Sequence, residues 1–345
     1  MLKTLFCKHR IKTVTDSSQS RIAALDFTKG ALMLFMVLYH WLTYFHGSYG
    51  SIFRYLRFLP PSFIFITGFL ISSAYLKKYQ ITDLRLPKRL FLRGLKILAV
   101  FVLLNAAINF LFTGFHDSSI RNFFAVYVTG NIVVAGVGKA AVFYILVPIS
   151  YLLLLSAMLL VVCRFYRYTF YVVCPLFFLA TLFLNLEGRE SANLELVTIG
   201  FLGLILGYVP IEKINSFVRH RYSLGVAYFC YTVTITLWEP NYILQIAGVC
   251  LTLMLIYLLG TSSAQPAGLR NAIMLLGKYS LFGYIIQIAI LQLLRGGLGS
   301  INLGTSQLVL SFVAAIALTI IAVVALDRAR SKSLAVDRLY KLVFA

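Results

Sequence analysis

Apolar residues in this chain gather into uninterrupted runs of about 20 residues, the length an α-helix needs to cross a bilayer, rather than alternating with polar ones as membrane strands do. Such runs cover residues 21–46, 58–76, 90–112, 140–162, 166–184, 194–209, 222–237, 242–259, 272–294 and 306–326. The pattern predicts an all-α, polytopic integral membrane protein with about ten transmembrane helices in one bundle. The domain so defined spans 21–327 and is flanked by basic tails at 1–20 and 328–345. The longest connection, 113–140, is too polar for a span and is interrupted by Gly114, Gly130, Gly136 and Gly138. It is expected to be a re-entrant or interfacial segment roofing a site. In the third run Asn105 and Asn109 stand four residues apart. Amides in lipid need partners, so this helix is expected to face protein or a cavity.

Composition agrees with that class. Of 345 residues, 60% are hydrophobic and only 12% charged, which excludes a soluble domain. A net charge of +20 would point to nucleic acid in a soluble protein, but its distribution here makes it an orientation signal. With the N-terminus in the cytoplasm, the inner loops carry most Lys and Arg, the densest being 77–96 with Lys77, Lys78, Arg85, Lys88, Arg89, Arg93 and Lys96. Outer loops hold Arg54, Arg57, Arg121, Lys139, Arg189 and Arg295, and they collect the acids Asp117, Glu187, Glu190, Glu195 and Glu239. The positive-inside rule then places both termini in the cytoplasm, with membrane lipids rather than nucleic acid beside the basic loops. Residues 1–20 lack an apolar core long enough for a cleavable signal, so the chain is expected to keep its N-terminus. Cys7, Cys163, Cys174, Cys230 and Cys250 show neither metal nor redox spacing; no disulfide and no metal site is expected.

Chemistry concentrates in the first run, RIAALDFTKGALMLFMVLYHWLTYFH, where Asp26, Lys29 and His40 stand inside apolar sequence. Ionisable residues in a membrane helix are costly and by default functional. Lys29 and His40 are eleven positions apart, which puts them within about 20° of one another and roughly 16 Å apart along the axis. Asp26, three residues before Lys29, can pair with it and lower the cost of its charge. A transporter or flippase would use the same three residues as a proton or substrate pathway, though no inverted repeat or pair of broken helices accompanies them. His116-Asp117 in the long connection is a second place where a histidine meets a carboxylate.

Leu25-Asp26-Phe27-Thr28-Lys29-Gly30, followed nine residues later by His40, resembles the first membrane helix of the acyltransferase 3 superfamily, in which a basic residue and Gly precede a His by that interval. The basic residue is usually Arg there; Lys29 keeps the charge without the planar fork. A second block, Phe63-Ile64-Phe65-Ile66-Thr67-Gly68, is similar to the family's Phe-rich run into Ser-Gly, with Thr67 for the Ser. Thr67 and Gly68 also suit close helix packing. The third block is Leu276-Gly277-Lys278-Tyr279-Ser280-Leu281-Phe282-Gly283-Tyr284-Ile285-Ile286-Gln287. There the family commonly ends on a His, where this chain has Gln287, which cannot take a proton at neutral pH but can hydrogen-bond a substrate.

The resemblance implies a membrane O-acyltransferase of the bacterial cytoplasmic (inner) membrane. It would move an acyl group, acetyl first among candidates, from cytoplasmic acyl-CoA to a hydroxyl or amine of a glycan or lipid-linked sugar. On that reading His40 is the general base, with Lys29 and Asp26 beside it in the catalytic set. Arg89 and Arg93, four apart on one helix face, grip the CoA phosphates together with Lys29, Thr67 and Gly68. Gln287, Tyr284 and Ser280 contact substrate. Thr67, Gln287 and Tyr284 are all able to donate to an oxyanion, and the sequence does not choose among them.

Overall fold

The computed structural model of this chain describes residues 23–45, 52–76, 79, 83–108, 126–130, 133–134, 138–139, 142–166, 169–189, 191–218, 220–239, 241–262, 266–298 and 304–344. Helix α1 (Ala23–Phe45) is the element most others pack on. After the short α2 (Ile52–Leu56), helix α3 (Leu59–Leu70) opens on Pro60 and Pro61, whose missing N–H groups cost nothing in a first helical turn. It runs on through a π-helical turn, Ile71–Tyr75. Helix α4 (Arg85–Ile108) lies along α5 (Leu146–Cys163), and α6 (Thr169–Leu186) leads back to α7 (Ala192–Leu206). There the chain bends by 101° into the short α8 (Ile211–Val218). Helices α9 (Arg221–Leu237) and α10 (Tyr242–Thr261) pair, followed by α11 (Ala267–Lys278), α12 (Ser280–Leu298), α13 (Thr305–Lys332) and α14 (Leu334–Phe344).

Among the described residues, seven helical stretches are long and apolar enough to cross a membrane, or eight if α7 and α8 form one broken span. The expected ten is therefore approximate. The two shortfalls have plain causes: α9 is 17 residues long, and the apolar run of α1 is diluted by Asp26, Lys29, His40 and its tyrosines. The ninth expected run also needs correction. Instead of one helix over 272–294, the chain breaks at Tyr279 between α11 and α12 because the Tyr279 side chain is drawn inward to Asp327, its hydroxyl donating over 2.6 Å. The membrane-facing perimeter stays apolar, with Leu103 of α4 and Leu186 of α6 68% and 80% exposed. Such a surface is stable in lipid and would aggregate in water.

Two helix pairs approach so closely that only glycine fits. A Cβ on Gly30 would overlap the Ile273 carbonyl, and one on Gly277 would overlap the Asp26 carbonyl, so α1 and α11 touch backbone to backbone. Helices α3 and α7 do the same: Gly68 lies against the Gly200 carbonyl, and Gly203 against that of Phe65. Without a hydrophobic drive between helices in lipid, this packing is a main source of association. Ser72, in the π-helical turn, donates to Leu204 O over 2.6 Å and ties the two helices of the second pair together beyond their glycine contacts.

The long connection is fixed at its stems. Asn105, 3% exposed, receives a hydrogen bond from Val142 N at 2.7 Å and donates to Val142 O at 2.8 Å, meeting the expectation that this amide faces protein. Asn193 donates to the carbonyls of Val126 and Tyr127. Between the stems the described residues include a two-residue antiparallel ladder, β1 (Val133–Val134) with β2 (Gly138–Lys139). Asn109, His116 and Asp117 lie outside the described residues.

The segment expected as a tail at 328–345 is helical over most of its length. It completes α13 and folds back as α14 against α4. Arg330 and Asp337 close the turn with an ion pair at 2.5 Å, and the Arg330 guanidinium stands 3.9 Å from the Tyr340 ring centroid. Hydrogen bonds from Lys341, then from Arg330, hold the Asp337 carboxyl below the usual carboxylate range.

Gly30→Ala and Gly277→Ala should each destabilise the bundle by about 1–3 kcal/mol or more, because the added methyl meets backbone that cannot turn aside. Gly225→Ala, where nothing lies within 4 Å, should be neutral or gain up to ~1 kcal/mol of helix propensity. Thermal unfolding of the detergent-solubilised variants measures both. Equal melting temperatures for all three would contradict the contact.

Candidate active site

The ionisable residues of α1 are arranged as its spacing requires. Lys29 Nζ lies 2.6 Å from Asp26 Oδ1, and both side chains are largely buried, at 19% and 15% exposure. In such a pair each group offsets part of the other's desolvation. Thr28 between them is buried and satisfied within the helix, its hydroxyl donating to Ala24 O. Near the far end of α1, His40 is held among aromatic rings. Tyr39 meets it edge-on at 5.4 Å, and Tyr284 of α12 stands 5.8 Å away, itself packed on Phe143 at 6.0 Å. The Nε2 edge of His40 is fully buried.

Helices α1 and α12 run side by side in the same direction. Gly283 faces Met33, Tyr284 faces His40, and Gln292 donates to the Tyr44 hydroxyl at 3.3 Å. Gln287 falls within this register and is 0% exposed. The structure thus brings His40 and Tyr284 into contact between two helices more than 200 residues apart in the chain, with Gln287 buried one turn beyond Tyr284. Arg295 lies over the Tyr44 ring at 5.9 Å, and Arg57 and Glu195 are close enough to Tyr144 to act on it electrostatically, so this end of the bundle carries polar groups of both signs.

The opposite end is basic. Arg85, Lys88, Arg89, Leu92, Arg93 and Lys96 of α4 line a cleft of about 300 Å³ with five cations, and Asp83 Oδ1 lies 4.0 Å from Arg85 Nε. Arg93 donates to the Tyr75 hydroxyl at 2.8 Å and Arg89 to that of Tyr79 at 3.2 Å. Each tyrosine takes one N–H and leaves the rest of the fork for an anion. The π-helical turn that presents Tyr75 is of a kind often found at functional sites.

A belt of side chains joins this cleft to the Lys29 end of α1. Gly277 touches the Asp26 carbonyl; Lys278 and Tyr279, next to it, both donate to Asp327, at 2.8 and 2.6 Å. Arg330, one turn on, lies over Tyr279 and Tyr340, and Tyr340 is close enough to Arg93 to feel its charge. Asp327, Arg330 and Tyr340 were not among the residues expected from sequence. Their one signal there was the alternation of acids and bases after the last apolar run, which reads equally well as a solvated tail.

The remaining expected site residues stand in the helix framework. The Thr67 hydroxyl donates to Phe63 O in its own helix, and Gly68 is pressed against Gly200. Ser280 opens α12, one residue beyond the break at Tyr279. Among the described residues no group of three or more His, Cys, Asp or Glu could hold a metal ion.

A family model described as an acyltransferase domain, that of the acyltransferase 3 family, matches residues 22–328. No curated protein and no solved structure gives a significant match. The match covers nearly the whole chain, from the start of α1, through the His40–Tyr284 contact and the basic cleft, to the last turn of α13. The protein belongs to the acyltransferase 3 family and is an integral-membrane acyltransferase.

Proposed function

We propose that the protein moves an acyl group, acetyl in the first instance, from cytoplasmic acyl-CoA to a hydroxyl of a glycan or lipid-linked sugar on the other side of the membrane. The observation that carries this is the single face of α1, with the Asp26–Lys29 pair at one end and His40 about 16 Å further along, in a chain that matches an acyltransferase family. That interval is comparable with the reach of a pantetheine arm. Arg89 and Arg93 would hold the nucleotide phosphates, Lys29 would meet the donor as it enters the bundle, and the thioester would reach His40. The imidazole takes the proton of the acceptor hydroxyl as its oxygen attacks the thioester carbon, a task suited to a group whose unperturbed pKa is near neutral. The proton then leaves with the CoA sulfur. The basic cleft and the tyrosines that orient its arginines support the donor side; the aromatic and mixed-charge surroundings of His40 support a polar acceptor.

The site generates three predictions. His40→Ala should slow release of CoA from acetyl-CoA by about 10²- to 10⁴-fold while leaving acetyl-CoA binding intact. A folded His40→Ala protein turning over at the parental rate would sink the assignment. Arg89→Ala and Arg93→Ala should each weaken acetyl-CoA binding by roughly tenfold or more and flatten its salt dependence, since each removes charge-assisted hydrogen bonds. Calorimetric titration at two salt concentrations reads this, and unchanged affinity in both variants would return the cleft to lipid binding. Lys29→Ala should also weaken donor binding, with Asp26→Asn acting through it; a double-mutant cycle giving additive effects would refute that link.

The orientation is tested separately. With both termini in the cytoplasm, Arg85→Cys should react with a membrane-impermeant maleimide only from the inside and Ser118→Cys only from the outside. Labelling of Arg85→Cys from outside would invert the scheme.

A further inference from the structure

Gln287 combines two properties that rarely coexist in a folded protein. Its side chain is 0% exposed, and neither its amide nitrogen nor its amide oxygen has a hydrogen-bond partner. Other buried polar atoms among the described residues lack a partner one per side chain; Gln287 alone has both amide atoms in that condition. Burying an amide this way costs stability, and proteins retain such a cost where function uses the group.

Its direction follows from its neighbours. At about 100° per residue Gln287 lies, one turn further on, between the directions of Gly283 and Tyr284. Gly283 faces Met33, where an added Cβ would meet the Met33 methyl at 2.7 Å, and Tyr284 faces His40. Both contacts are with α1, so Gln287 points at α1 too. Its depth lies between the Tyr284–His40 contact and the Gln292–Tyr44 hydrogen bond, which is the level of His40. The other two donors able to serve there are less suited: the Thr67 hydroxyl is committed to Phe63 O, and Tyr284 presents its ring to His40.

We propose that Gln287 donates the hydrogen bond that stabilises the oxyanion formed at His40, an assignment that rests on the acyl-transfer reading. The acceptor oxygen bonds to the thioester carbon, the carbonyl electron pair moves onto the carbonyl oxygen, and His40 takes the acceptor proton. Gln287 Nε2–H then donates to that negative oxygen. On collapse the carbonyl re-forms, the carbon–sulfur bond breaks with its electron pair on the CoA sulfur, and the imidazolium returns the proton to give the free thiol. The amide is unpaired before the reaction, so its bond is made where charge develops and no prior bond is broken to make it.

The test uses purified full-length protein with acetyl-CoA as sole substrate, water standing in for the acceptor, and follows release of the CoA thiol together with thermal unfolding. Gln287→Met keeps the shape and removes the donor. Its kcat should fall about 10²- to 10³-fold with KM for acetyl-CoA little changed. Its melting temperature should hold or rise, because an unsatisfied buried amide has gone. Gln287→Asn, with a donor one methylene shorter, should recover part of the rate. A structural amide predicts the reverse, a lower melting temperature and a parental kcat in the folded fraction, and that result overturns the proposal. Parental turnover in Gln287→Met while His40→Ala is inactive refutes Gln287 alone; absence of CoA release by the parental protein both with water and with an added pool of glycan acceptors refutes the acyl-transfer reading and this assignment with it.

Discussion

The contact at Gly30 and Gly277 governs more of this molecule than its size suggests. Two helices meet there backbone to backbone, with a carbonyl of each in the place where the other would carry a Cβ. Because α12 continues from α11 after a single break, fixing Gly277 against α1 also fixes the register of α12 along α1, and with it the meeting of Tyr284 and Gln287 with the His40 face. Two of the three sequence blocks that resemble the family contain these glycines. Their glycines look like separate features in the sequence and are one feature in space.

Charge is handled by the opposite means at the two ends of α1. At one end several acids are paired: Asp26 with Lys29, Asp327 with Lys278 and Tyr279, Asp337 with Arg330 and Lys341. Beside them the α4 cleft gathers Arg85, Lys88, Arg89, Arg93 and Lys96, with Asp83 against Arg85. Cations thus outnumber carboxylates along that cleft, and a cleft lined by one sign of charge focuses its field. Around His40 the lining is instead aromatic, with polar groups of both signs nearby.

Much of the architecture was legible because lipid leaves few choices. Apolar runs of bilayer length must be helices, and the spacing of Asp26 and Lys29 dictates their ion pair. What sequence could not show was pairing over distance. The break at Tyr279 interrupts no change in composition; it exists because Asp327, 48 residues on, draws that side chain in. For the same reason 328–345 read as a basic tail, since Asp337 and Tyr340 acquire meaning only when Arg330 and Arg93 stand beside them. Gln287 is the sharpest case. Its position was visible, but whether an amide in an apolar run has a partner is a property of the packed bundle alone.

The two pinned stems of the long connection carry a consequence for how such a protein diversifies. Asn105 clamps Val142, while Asn193 and Tyr151 hold Val126 and Tyr127, so the chain between these anchors is attached to the bundle by side chains that belong to the helices. Lengthening a loop whose ends are fixed costs only about 0.6 kcal/mol for each doubling of its length. Insertions and deletions between the anchors are therefore cheap, and they fall on the side of the bundle where His40 and its tyrosines lie. Changes of length there leave the helices and their packing as they are.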